Sequence, residues 1–202
     1  MSNISILFTL TNMLHKSLVL LSLLFVFPNG SSAAAPKECV EKISPDLVKL
    51  LGVKFPAFRI PQILDLDQQS IRVDLDNGGN GCYAVANADF DGDSQQDVAI
   101  LLVSTTKDSQ KKPQLIVALR RGNTWKIHKL PTFCETLQFC YVEPEKAGTY
   151  LRTEVAEDPI TRKNERSKLT SGHMSVQSGT LESTGIVYVY SNGHWLFVWV
   201  SD

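Results

Sequence analysis

Several features that would assign a function are missing from this sequence. The formal net charge is only −1 over 202 residues, so charge gives no reason to expect nucleic acid or an anionic membrane as a partner. The motifs G-x-S-x-G and H-E-x-x-H are absent, and so is a glycine-rich loop that would cradle a phosphate. The sequence also contains no internal repeat. Common signatures of serine hydrolases, zinc proteases and nucleotide-binding proteins are therefore lacking.

A hydrophobic run long enough to cross a membrane is also lacking. Leu18–Phe27 reads LVLLSLLFVF, whereas a membrane span needs about 20 residues. Lys16 precedes this run and small residues follow it, a pattern typical of a secretory signal peptide rather than of a buried helix. We expect residues 1–34 to be a signal peptide, with cleavage between Ala33 and Ala35.

Export then defines the compartment of the remaining chain. Translation could also start at Met13, because the segment from that residue is a complete signal by itself. Residues 35–202 are expected in the periplasm or outside the cell, without a membrane span. The residues before Cys39 read PKE and lack the pattern of a bacterial lipoprotein site, so a lipid on Cys39 is not expected.

The four cysteines indicate disulfides in such a compartment. An even number of cysteines in an exported chain favours disulfide bonds over free thiols. Cys134 and Cys140 enclose a short loop and are natural partners, which leaves Cys39 to pair with Cys82. A zinc site is the alternative, but the close C-x-x-C pairs that zinc usually requires are absent.

The local patterns predict a mainly β domain, with an α+β fold as the alternative. A short helix is expected after Ser44, with Ser44 as its cap, Pro45 in its first turn and Gly52 at its end. From Cys82 onward, short apolar or alternating runs predict strands. These runs cover residues 98–104, 115–119, 125–130, 139–142, 185–190 and 195–200. We therefore predict that residues 35–202 form a single domain of antiparallel strands with one short N-terminal helix and two disulfides.

Two hairpins and two further properties follow from the same patterns. The segments RRGN and SNGH separate β-rich runs, and Asn-Gly is a strong signal for a tight hairpin. The run at 195–200, WLFVWV, is apolar on both faces and is expected to be a central, buried strand. The polar stretch Glu154–Leu169 is expected to be mobile.

The sequence ADFDGDSQQDV, residues 88–98, concentrates negative charge in one short loop. Asp89, Asp91, Asp93 and Asp97 occupy positions 1, 3, 5 and 9, and the carbonyl of Gln95 at position 7 would complete a ligand set. Carboxylates so close together repel one another unless a cation compensates. Calcium prefers six to eight oxygen ligands, and a tight loop can supply them from alternate residues. The loop therefore predicts a structural calcium site, with an ordinary solvated turn as the alternative.

The loop resembles the calcium loop of FG-GAP or VCBS-type repeats, which is found in integrin α-subunit propellers. In those repeats D-x-[DN]-G-[DN]-x-x-x-D precedes a strand, and here Gly92 stands within the matching acids before VAILL. An EF-hand does not match, because Ser94 and Ile100 stand where it needs Gly and Glu. A propeller needs several blades, whereas this chain has one such loop, so integrin-type adhesion is not implied.

A wider set of segments is similar to a family of small exported bacterial proteins with a single FG-GAP-like loop. The segments KFPAFRIPQ, GGNGCYAVANADFDGD, DVAILLV, LIVAL, GTLESTGIVYVY and WLFVWVSD carry this resemblance across most of the mature chain. The resemblance implies export and the β-rich fold, but it implies no activity.

Other candidate groups have simpler structural interpretations. Ser171 and His173 lie in SGH, which is best interpreted as a loop, and His128 and His194 are expected at an edge and on a hairpin tip. Trp125, Trp195 and Trp199, with Tyr188 and Tyr190, could form a sugar-binding face, but core packing is the favoured interpretation.

Carboxylates outside the loop give a second function hypothesis. Glu154, Glu157 and Asp158 could supply paired carboxylates for glycan hydrolysis, although a solvated acidic surface is more common. Glu182 is expected to pair with a cation or to accept backbone hydrogen bonds rather than to be catalytic.

The sequence thus favours an exported, non-catalytic binding protein whose partner is an unidentified protein or glycan of the cell envelope. The alternatives are an envelope hydrolase that acts on cell-wall or glycan substrates and a purely structural envelope component. A cleft with two carboxylates away from the calcium loop would favour the hydrolase, and an exposed flat or aromatic patch would favour binding.

Overall fold

The structure describes most of the predicted β-rich domain. The computed structural model covers residues 38–105, 113–153, 162–183 and 185–200. The predicted signal peptide lies outside these ranges. The same is true of the predicted carboxylates Glu154, Glu157 and Asp158.

Two α-helices lie near the start of the described residues. Helix α1 (Pro45–Lys54) begins after Ser44, as predicted, although the Ser44 side chain makes no capping hydrogen bond. The predicted end at Gly52 is wrong, because the helix continues to Lys54 and ends just before Phe55-Pro56, where proline disfavours a helical preceding residue. A second helix, α2 (Gln68–Asp76), was not predicted.

Antiparallel pairing connects the strands of the described residues. They are β1 (Phe58–Arg59), β2 (Val85–Ala88), β3 (Asp97–Ser104), β4 (Gln114–Arg121), β5 (Thr124–Leu130), β6 (Cys140–Glu145), β7 (Gly148–Leu151), β8 (Lys168–Ser171), β9 (Ser175–Thr180), β10 (Gly185–Ser191) and β11 (His194–Trp199). One sheet has the order β1-β3-β4-β5, with β2 also paired to β3. A second sheet has the order β11-β10-β9-β6, and β7 and β8 form a separate pair. The mainly β, antiparallel fold is confirmed.

Burial of both faces of β3 and β4 explains their continuous apolar sequences. Successive side chains of a strand point to opposite faces, and residues 98–102 and 115–119 are all buried. One apolar cluster joins these strands to Leu47 and Leu51 of α1 and to Phe197 of β11. The core therefore connects the helices with both sheets.

Both predicted hairpins and both predicted disulfides are confirmed. Strands β4 and β5 pair across Gly122-Asn123, and β10 and β11 pair across Asn192-Gly193. Asn192 and Gly193 both have positive φ, as a tight hairpin turn requires. Cys39 is bonded to Cys82 and Cys134 to Cys140, with Cα–Cα distances of 5.4 and 5.9 Å.

The prediction for β11 needs correction. Strand β11 is an edge strand and not a central one. Its edge is covered by backbone hydrogen bonds: Phe197 N donates to Asn164 O at 3.0 Å, and Arg166 N donates to Phe197 O at 2.9 Å. Glu165 and Leu169 are buried, whereas the other described residues of Glu154–Leu169 are exposed, so the mobility of this stretch stays a prediction.

Candidate functional site

The acidic loop connects β2 to β3 in a tight hairpin. Its Phe90 side chain is completely buried and anchors the loop in the core. The chain turns at Gly92 and Ser94, whose φ angles are +80° and +65°. A Cβ atom on Gly92 would lie 3.1 Å from Cδ2 of His173, so the loop also packs closely against the β8–β9 turn.

Asp89 organises the backbone of this turn. Its carboxylate accepts hydrogen bonds from the amides of Gly92 at 2.7 Å, Asp93 at 3.1 Å and Ser94 at 2.8 Å. Aspartate commonly stabilises turns through such local bonds. The loop geometry therefore depends on its own side chains.

Asp97 is the buried member of the acidic group. Its side chain accepts hydrogen bonds from the amides of Phe90 at 2.8 Å and Arg120 at 2.7 Å, and the residue is 0% exposed. Burial raises the pKa of Asp97 to about 6, while the two amides oppose this rise and the charges of Asp91 and Asp93 add to it. A cation at this position would stabilise the ionised carboxylate.

Three of the predicted ligands converge. One carboxylate oxygen from each of Asp89, Asp91 and Asp97 lies within 4.8 Å of the other two. The Asp93 carboxylate instead accepts from the backbone and side-chain nitrogens of Gln95, at 2.9 and 2.8 Å. The three convergent residues are all hard oxygen donors, which is the chemistry that calcium requires.

Arg121 is the residue of this site that sequence reasoning missed. Its guanidinium contacts Asp91 and lies 2.8 Å from the Asp93 carboxylate. The interaction with Asp91 keeps the Arg121 pKa above its ordinary value. An arginine thus supplies positive charge beside the carboxylates, and a bound ion would compete with it for Asp91. Arg121 lies 24 residues after Asp97 in the sequence and meets the loop only in the folded structure, so no linear pattern could have identified it.

A groove of about 1140 Å³ is lined by none of the acidic-loop residues 88–98. It is bounded by α2, β2, β6 and the turn that follows β9. Val73 and Phe139 line it and are 54% and 49% exposed. Exposed apolar side chains at a concave surface are typical of binding sites.

Negative charge dominates the groove. One ammonium group, that of Lys42, lines it together with the carboxylates of Asp67, Asp74, Glu143 and Glu182. Lys42 donates to the carbonyls of Cys82 at 3.1 Å and Val85 at 2.8 Å, and burial lowers its pKa. Glu182, predicted to pair with a cation or with backbone amides, is located at this groove.

The groove carboxylates differ in their hydrogen bonding. Asp67 accepts from Ser70 N as the cap of α2, and Asp74 accepts from Gly81 N at 2.7 Å. Desolvation raises the pKa of Glu143, and the charges of Glu145 and Asp74 contribute to the rise. Glu143 therefore carries negative charge that its surroundings do not compensate.

The histidines near candidate sites have structural contacts. Ser171 Oγ donates to the His173 carbonyl at 2.7 Å, and His173 Nδ1 lies 3.0 Å from the Met174 carbonyl, so these groups form no nucleophile–base pair. His128 lies on edge strand β5, as predicted, and is partly buried with its ring centroid 5.6 Å from that of Tyr190. His194 is exposed as predicted.

The tryptophans are divided between core and partial exposure. Trp195 is buried, in agreement with the core interpretation. Trp199 is partly exposed and packs 4.9 Å from Phe133. Trp125 is also partly exposed, lies under the Arg120 guanidinium at 4.6 Å, and donates to Asp46 at 2.6 Å.

Comparison with protein-family models, curated proteins and solved structures finds no significant match. The FG-GAP-like interpretation of the acidic loop therefore rests on the loop residues themselves. Among the described residues, no helix is both long and apolar enough to cross a membrane.

Proposed function

We propose that this chain is an exported, non-catalytic binding protein of the cell envelope, with a protein or glycan partner and a structural calcium loop. The observation that carries the binding function is the groove between α2 and β6, with Val73 and Phe139 exposed at it. Export is supported by the apolar segment at Leu18–Phe27 and is compatible with two disulfides.

The chemistry of the groove favours binding over catalysis by a cysteine or histidine. Within the described part of the chain no histidine lines the groove, and its one cysteine, Cys82, is in a disulfide. The hydroxyl of Tyr83 is held between Asp67 N at 2.6 Å and Gln138 O at 2.8 Å. Tyr83 thus supports the shape of the groove, and the exposed apolar side chains provide a contact surface.

A capture experiment with a matched control tests this function. We expect Val73→Ser to reduce capture of the envelope partner from an extract, because it removes an apolar contact from the groove. Val53→Ser is the control, since Val53 is 73% exposed on α1 and does not line the groove. Equal capture by both variants would remove the groove as the binding surface.

Calcium would be held by Asp89, Asp91 and Asp97. When bound, the ion would supply positive charge that offsets the repulsion among these carboxylates. Asp89 meanwhile fixes the turn through its amide hydrogen bonds, and Asp97 connects the loop to β4 through Arg120 N. This arrangement favours a role in stabilising the hairpin.

Calorimetric titration of calcium into the EDTA-treated protein tests the metal proposal. We expect one site and a higher melting temperature, because a ligand that binds only the folded state stabilises it. Asp91→Ala is expected to abolish both effects, whereas Asp76→Ala, on the exposed end of α2, should retain them. Neither heat nor a melting shift at millimolar calcium would identify the loop as an ordinary acidic turn.

A glycan hydrolase is the second candidate, and the carboxylate pair of the groove favours it. Asp74 and Glu143 both line the groove, and the pKa of Glu143 is raised. A carboxyl group with a raised pKa suits the acid role of glycan hydrolysis, and a second carboxylate in the same groove could serve as the base or nucleophile. Release of reducing ends from cell-wall glycan, lost in Glu143→Gln and retained in Glu38→Gln, would establish this activity. Absence of turnover by the unmodified protein would exclude it for that substrate.

A further inference from the structure

We propose that the groove binds a protein segment in which basic side chains stand between apolar ones. This inference rests on the proposed binding function and identifies the class of partner. It follows from the apolar surface, from the unbalanced charge and from the backbone geometry at the groove.

Size and apolar exposure point to a segment rather than a small ion. The groove volume of about 1140 Å³ exceeds the roughly 300–1,000 Å³ that is typical of small-molecule pockets. Val73 approaches it from α2 and Phe139 from the turn before β6, so apolar contacts come from two separate elements. A partner chain with apolar side chains would cover both.

Charge complementarity selects a cationic partner. The Lys42 ammonium is already bonded to two backbone carbonyls. The Glu143 and Glu182 carboxylates make no hydrogen bond or ion pair with the residues that the structure describes. A lysine or arginine would pair with these acids, and the rings of Phe139 and Tyr141 could also accept a cation on their faces.

Asn87, which lines the groove, has a side-chain oxygen without a hydrogen-bond donor among the described residues. The Asn87 Oδ1 atom is buried without a hydrogen-bond partner among the described residues, while its Nδ2 donates to Lys42 O at 2.9 Å. That bond orients the amide so that the oxygen remains the free acceptor. Lysine and arginine side chains carry only donors, which suits this atom.

The geometry of β6 favours recognition by side chains over strand addition. The outward amide of Val142 is already bonded to Tyr83 O at 2.8 Å. The next outward position is Pro144, which has no amide hydrogen to offer a partner strand. A bound segment therefore cannot form a continuous ladder along this edge.

Fluorescence anisotropy with synthetic peptides tests the inference. The probe is a labelled peptide with the core Leu-Lys-Phe-Arg-Leu, and the comparison peptides replace both basic residues with glutamine or with glutamate. We expect the basic peptide to bind about tenfold more tightly than the acidic one, with an advantage that decreases at high salt. Equal affinity for basic and acidic peptides, or no binding by any peptide, would overturn the inference.

Charge variants locate the effect in the groove. The double variant Glu143→Gln/Glu182→Gln should weaken the basic peptide about tenfold and leave the glutamine peptide unchanged. Glu38→Gln, an exposed acid that does not line the groove, should change neither. An unchanged affinity in the double variant, with folding verified by circular dichroism, would overturn the inference.

The result for Val73→Ser separates this inference from the proposed function. If envelope capture depends on Val73 but the charge variants have no effect, the binding function stands and the cationic segment is rejected. Preferential binding of a soluble peptidoglycan fragment would likewise reject the segment and retain the binding function. If neither Val73 nor the acids matter, both proposals fail.

Discussion

Gly92 is placed where two constraints on the acidic loop meet. Its φ of +80° is unfavourable for alanine by about 1–2 kcal/mol, and a Cβ atom would also contact His173, whose ring is fixed at Met174 O. We expect Gly92→Ala to lower the free energy of unfolding in urea by about 2 kcal/mol or more. Gly122→Ala is the control, because Gly122 has a φ of +58° but open space around it.

The double variant Gly92→Ala/His173→Ala separates the two constraints. It should recover part of the loss if the contact with His173 contributes, and none if only the backbone angle matters. Equal losses in Gly92→Ala and Gly122→Ala would contradict the contact.

Arg121 determines how strongly calcium must compete for the loop. Its guanidinium contacts Asp91 and Asp93, so replacing it with a neutral side chain removes a competitor for the carboxylates. We expect Arg121→Gln to tighten calcium binding about tenfold, which corresponds to about 1.4 kcal/mol. Calorimetry should show no such change for Arg120→Gln, whose side chain contacts Asp46. Weaker binding in Arg121→Gln would show that the arginine helps to build the site.

At the scale of elements, local sequence predicted what local geometry determines. Short segments encode the Asn192-Gly193 turn and the buried run of β3. The close spacing of Cys134 and Cys140 predicted their bond and left Cys39 to pair with Cys82. The edge position of β11 was not predicted, because the run WLFVWV is covered on its edge by Asn164 and Arg166 from elsewhere in the chain. Helix α2 was not predicted, although aspartate, here Asp67, is a preferred N-cap residue.

The two disulfides are expected to contribute unequally. Cys39–Cys82 spans 43 residues of sequence and Cys134–Cys140 spans 6, and a longer loop loses more unfolded-state entropy when it is closed. Paired serine substitution should cost about 4 kcal/mol for the first bond and about 2 kcal/mol for the second. Chemical denaturation of the two variants measures the difference. A larger loss for Cys134–Cys140 would show that native-state contacts, rather than loop closure, dominate.

The whole molecule brings together residues that no linear pattern associates. The groove combines Val73 of α2, Asn87 of β2 and Glu143 of β6, and the acidic loop gains Arg121 from β4. These contacts depend on how the sheets and helices pack, so the sequence predicted the acidic loop but not the groove.

We expect the packing of His128 against the other sheet to make the stability of the protein depend on pH. Its ring on β5 lies 5.6 Å from Tyr190 and 6.1 Å from Trp195 of the other sheet. Burial lowers the His128 pKa, the charges of Lys126 and Arg121 lower it further, and Asp91 opposes them. Its Nε2 is buried without a hydrogen-bond partner among the described residues, so a proton gained there would lack an acceptor.

The sign of the pH effect follows from this lowered pKa. Above about pH 6.5, the pKa of histidine in the unfolded chain, the imidazole is neutral in both states, so its protonation does not lower the free energy of unfolding. As the pH falls below that value, the unfolded state takes up a proton that the folded state resists, so stability decreases until the folded pKa is reached. We expect His128→Phe to lose less stability than the unmodified protein between pH 7 and pH 5 in thermal melts. His194→Phe, on the exposed hairpin turn, should retain the original slope, and an unchanged slope in His128→Phe would show that the sheet junction does not sense pH.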